Sequence, residues 1–155
     1  MKTSWCLALA AGGLGCAAPA AETPGREADA AALRPAAEAL YRAYGQAVAT
    51  GPGEAVAAFY HPGGAVRVLN GTAQRLSRAA LDSSYRSGWS APGYFSWTDL
   101  TFDPFGPDQV LVSGGFRWLP VGGRDTTAWI YAALLERTDS GLAIRFEHET
   151  LKPTP

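Results

Sequence analysis

The chain has little cysteine, histidine or lysine: of its 155 residues only Cys6 and Cys16, His61 and His148, and Lys2 and Lys152 are of these kinds. Both cysteines precede residue 17, so the folded part has no disulfide and must be held by a hydrophobic core. No cysteine or carboxylate stands at metal-site spacing around His61, and Glu147-His148-Glu149 is not the His-x-x-x-His pattern of a zinc helix. No Gly-x-Gly-x-x-Gly fingerprint or phosphate loop occurs after the leader, and Ser77 and Ser113 lack a nucleophile-elbow context. Nothing in the sequence therefore calls for a metal or a cofactor. The arginines are dispersed, which argues against nucleic acid as a partner, because phosphate binding needs concentrated positive charge. No segment is long and apolar enough for a transmembrane helix.

What is present begins with a leader. Lys2, the apolar run from Trp5 to Leu14 and the small-x-small pattern Ala18-Pro19-Ala20 predict a signal peptide over residues 1–20 and export to the periplasm or beyond the cell. Cys16 offers an alternative, as the lipidated first residue of a bacterial lipoprotein, although Gly13 stands where that signal usually has leucine. Removing the leader leaves twelve basic and fourteen acidic residues, enough chain for one domain and nearly balanced in charge. Residues 21–27 read as a linker, 28–151 as the domain and 152–155 as a tail.

Helical spacing of Leu33, Ala36, Ala37, Leu40, Tyr44, Ala47 and Val48 predicts a long helix starting near Arg34, where Pro35 fits a first turn. Gly51-Pro52-Gly53 stops it. A short helix over Glu54–Tyr60, a strand over Ala65–Leu69, a turn at Asn70-Gly71 and a helix capped by Ser77 follow. The second half alternates with strand period over Phe95–Phe105, Val110–Leu119, Thr126–Arg137 and Leu142–Leu151, with Gly114-Gly115 predicting a bulge or bend. Helices first and long antiparallel strands after give an α+β order.

This order resembles the NTF2-like superfamily, in particular its SnoaL-like and DUF4440-type members. The features that carry the resemblance are the long helix Leu33–Ala49, the Tyr60-His61-Pro62 step, the polar helix Ser77–Arg86, and the closing run from Trp129 to Thr150 in which His148 is followed two residues later by Thr150. Leu142 stands where the family usually has tryptophan. The resemblance implies a cone-shaped fold, with N-terminal helices packed on a strongly curved antiparallel sheet around an apolar pocket. It also implies frequent homodimers formed through the outer sheet.

Strand phase puts Leu142, Ile144, Phe146, His148 and Thr150 on one face, so His148 is expected to share the hollow with Tyr131, either as an acid–base group or simply hydrogen-bonded to Thr150 or Tyr131. Asp99 shares a face with Trp97 and Thr101 and is a second proton-transfer candidate, unless Leu100 and Phe102 are the inner residues and Asp99 is solvated. Trp97, Trp129, Tyr131 and Phe146 are candidate ligand contacts, and Arg117 would join them if it points inward. The leading expectation is an exported domain that binds a small apolar or amphipathic molecule. The alternative is an enzyme doing isomerase, cyclase or dehydratase chemistry on a small carbonyl or polyketide-like substrate, with His148 and Asp99 moving protons and Tyr131 stabilising negative charge.

Overall fold

The computed structural model describes residues 24–153, with side chains from residue 31 onward. The predicted leader, its predicted cleavage point and the candidate lipidation site Cys16 lie outside the described residues. In chain order the elements are α1 (Pro24–Thr50), α2 (Gly53–Ala57), β1 (Ala65–Leu69), β2 (Thr72–Leu76), α3 (Arg78–Gly88), β3 (Tyr94–Pro104), β4 (Gln109–Leu119), β5 (Thr127–Thr138) and β6 (Gly141–Leu151).

Helix α1 buries Leu33, Ala37, Tyr41, Tyr44 and Val48, one residue per turn along a single stripe, and lays that stripe across β3, β4 and β6. It starts at Pro24, inside the stretch read as linker, and runs through Pro35 at the loss of one i→i−4 hydrogen bond. Ser77 caps α3 by accepting from the Ala80 amide at 3.2 Å. Asn70 and Gly71, both at positive φ, close a two-residue hairpin into β2, a strand that polar Thr72–Leu76 did not announce.

The six strands form one sheet in the order β2-β1-β6-β5-β4-β3. Here the expectation of a cone with a strongly curved antiparallel sheet is corrected. The sheet is open, with β2 and β3 as its edges, and mixed, because β1 runs parallel to β6. No hairpin links those two strands, since everything from β2 to β5 lies between them in sequence, and only a tight turn forces neighbours to be antiparallel.

Two bulges set which side chains face the helices. In β3 the register shifts between Thr98 and Thr101, so Trp97 before the shift and Phe102 after it both turn inward while Asp99, at φ 52°, is extruded. Gly114 sits opposite, where a Cβ would come within 2.7 Å of the Asp99 carbonyl oxygen. The irregularity expected at Gly114-Gly115 thus lies in the neighbouring strand, and the glycine makes room for it. In β6 the register against β5 shifts between Leu134 and Leu135, where Arg145 is the extra residue.

Candidate functional site

The β6 bulge decides the site. Before it, Ile144 faces the core; after it the phase reverses, so Glu147 and Glu149 turn inward opposite Ala133 and Tyr131, while His148 turns outward opposite Ala132. Beside them, β1 delivers Arg67 in register with Glu147.

Glu147 is 1 % exposed, and a buried carboxylate is tolerated only when its oxygens are occupied. Its Oε1 accepts the Tyr44 and Tyr131 hydroxyls at 3.0 and 3.1 Å; its Oε2 accepts the Tyr60 hydroxyl at 2.5 Å and faces Arg67 Nε at 3.3 Å. These bonds order a second tier. Because Tyr131 and Tyr60 have committed their protons to Glu147, Tyr41 must donate to Tyr131 at 2.8 Å and Tyr85 to Tyr60 at 2.7 Å. Burial, the largest influence, pushes all these phenols above their ordinary range, so they remain protonated donors.

A cavity of about 230 Å³ opens next to this network. Phe95, Trp97, Trp118 and the stacked pair Phe116–Trp129, with ring planes within 5° of parallel, form much of its wall, and Trp89 closes a corner. Its polar end is Tyr44, Tyr85, Arg67 and Glu149. Arg67 also lies over the Tyr85 ring at 5.4 Å. Among the described residues Glu149 makes no side-chain hydrogen bond, so its carboxyl is left to whatever enters. Burial and then the neighbouring Glu147 charge raise it to about 8, against the pull of Arg67.

The structure separates the residues singled out from the sequence. Trp97 and Trp129 line the cavity, and Tyr131 is buried behind it in the Glu147 network. His148 does not face the hollow: it lies on the outer face of the sheet, bonded to Thr150 Oγ1 at 2.9 Å, and Phe146 accompanies it, because the bulge at Arg145 inverts the alternation. Asp99 is exposed on its bulge, and Arg117 is exposed on the outer face while Trp118 takes the inner one. The proposed convergence of His148, Asp99 and Tyr131 is therefore corrected. The sequence reading missed Glu147, Glu149, Arg67, Tyr41 and Tyr85. A visible trace was the pair of glutamates two residues apart, which had to share a face whichever way the strand turned.

No family model matches the sequence, and no curated protein matches it. Solved structures do match. An NTF2-like protein of unknown function from Pseudomonas putida superposes with a TM-score of 0.67 at 17% identity, covering 81% of this chain and 89% of that one. The chain has the NTF2-like fold. A candidate dehydratase of the NTF2-like family from Streptomyces avermitilis matches with a TM-score of 0.62 at 17% identity over 85% of this chain and 100% of that one. A candidate ketosteroid isomerase from Parabacteroides distasonis matches with a TM-score of 0.61 at 9% identity over 75% and 85%. Two descriptions of this architecture recur, since other matching structures are described as cystatin-like. At these identities the likeness fixes the fold, and the chemistry has to be argued from the cavity itself. In this NTF2-like chain the cavity has aromatic walls and one polar end that carries Arg67 and Glu149.

Proposed function

We propose that the cavity is the active site of an acid–base enzyme acting on a small carbonyl compound, with Glu149 exchanging a proton with the substrate. The observation that carries this reading is a cavity-facing carboxyl raised to about 8 and without a side-chain hydrogen bond among the described residues, with the Arg67 guanidinium lining the same cavity. A group titrating near the working pH can both take and return a proton, which is what isomerisation or dehydration next to a carbonyl requires. When the proton leaves carbon, its bonding electrons move onto the carbonyl oxygen, and Arg67 is the fixed positive charge placed to stabilise them. Glu147 itself is buried; in this scheme it holds Arg67 and the tyrosine hydroxyls and keeps the floor rigid. Two matching structures described as candidates for such chemistry, a dehydratase and an isomerase, support the same class.

The test is solvent deuterium incorporation into a panel of small ketones and keto acids, followed by NMR. Wild-type protein should catalyse exchange for at least one member, and Glu149→Gln should reduce that rate by a hundredfold or more. Exchange that is unchanged in Glu149→Gln would sink the assignment.

The uncovered face of the sheet supports a homodimer. Val66, Phe146 and Leu134 stand side by side there in register, Val68 and Ile130 share the same face, Ile130 is 48% exposed, and no described helix lies over this surface. The leader would direct the protein out of the cytoplasm.

A further inference from the structure

We infer that the cavity takes a small planar carboxylic acid, one or two fused rings in size, whose carboxylate pairs with Arg67 while its rings lie against the Phe116–Trp129 wall. The inference rests on reading the cavity as a substrate site and names the class of molecule that fits it. Size comes first: at about 230 Å³ the space is below the roughly 300–1,000 Å³ that encloses drug-sized ligands, so a fragment fills it and a four-ring skeleton does not. Shape comes from the walls. Aromatic rings make up much of the lining and favour a flat guest, because stacking against a rigid aromatic surface adds to simple burial.

Charge decides the polar group. Arg67 uses Nε on Glu147, and among the described residues its two terminal nitrogens have no protein acceptor, although the residue lines the cavity. A guanidinium presents its donors as a planar fork that matches a carboxylate. Burial works against its charge, but the Glu147 carboxylate beside it holds Arg67 in the cationic form. An ammonium guest would be driven against that cation. A neutral amide would leave half of the fork unmatched in a site with few other acceptors. A carboxylate matches that fork, and in a keto acid one terminal nitrogen holds the carboxylate while the other meets the enolate oxygen formed when Glu149 takes a proton from carbon.

Isothermal titration calorimetry on the purified wild-type protein with 2-naphthoate, 2-naphthamide and 2-naphthylmethylammonium tests this. Naphthoate should bind at least tenfold more tightly than the amide, with the ammonium weakest. In Arg67→Gln the preference for naphthoate should vanish, and in Arg67→Lys part of it should return. Should Arg67→Gln fail to fold, the ranking on wild-type protein still decides. Equal affinities, a preference for the amide or the ammonium, or binding of none of the three would each overturn the inference. The two claims fail separately. A naphthoate preference without deuterium exchange on any substrate removes the proposed reaction and keeps the carboxylate site; Glu149-dependent exchange with a reversed ranking does the opposite.

Discussion

Glu149 gives up free energy to stay in the cavity, and the amount depends on pH. A glutamate in the unfolded chain titrates near about 4.3, whereas in the fold this carboxyl holds its proton to about 8. Between those values the native state binds more protons than the unfolded state, so stability falls as pH rises through the window, by up to roughly 1.4 kcal/mol per pH unit. The groups facing it are Glu147 on its own strand, Arg67 on β1, and Tyr41, Tyr44, Tyr85 and Tyr131 from the helices and β5. Glu149→Gln keeps the shape and cannot ionise. Its urea midpoint should stay nearly level from pH 5 to 9, while that of the wild type declines; parallel declines would refute the assignment. At this scale the sequence was partly legible. Trp97 and Trp129, candidate contacts for their aromatic bulk, line the cavity, but alternation alone leaves open which face of β3 is the inner one. Glu147 and Glu149 were not legible as inward, because charge on a strand ordinarily signals the solvent face, and only five tyrosines and an arginine brought from distant elements reverse that expectation.

Bulges, which carry no alternation signal of their own, are where the element-level reading broke. One extra residue in β6 and one in β3 were enough to exchange faces for every side chain beyond them. The cap at Ser77 and the break at Gly51-Pro52-Gly53 fared better, since both act through local backbone chemistry that the residue type itself dictates, whereas α1 begins at Pro24 rather than near Arg34. The extra residue in β6 has a use: Arg145 donates to the Gly64 carbonyl at 2.7 Å and pairs with Glu136 at 3.4 Å, tying the loop after α2 to the sheet. The close fit of α1 on β3 is testable. A Cβ at Gly45 would stand 2.6 Å from Trp97 Nε1, a buried nitrogen without a partner among the described residues. Gly45→Ala gains helix propensity but must displace the indole, and a net destabilisation of about 1–3 kcal/mol in a denaturant titration is expected. A stabilised variant would mean that α1 is not seated as described.

At the scale of the molecule the described helices occupy one side of the sheet and leave an apolar patch uncovered on the other, so the same face that misled the reading of Phe146 is the one proposed to meet a second copy. Ile130→Glu places a charge on an already exposed position, which spares the fold. Light scattering should then report a dimer for the wild type and a monomer for the variant; a wild-type monomer would remove the proposed interface. The α+β order was legible because helical and strand periods segregate along the chain, whereas the mixed sheet was not, since no local pattern reveals that β1 will lie alongside β6. That parallel pairing governs when the pocket comes into being. Arg67 belongs to the early hairpin and Glu147 and Glu149 to the closing strand, so closing that long loop precedes any contact between them. During refolding, recovery of ligand binding should therefore trail the appearance of helical signal, because until the closing strand is seated the pocket has nothing with which to move a proton.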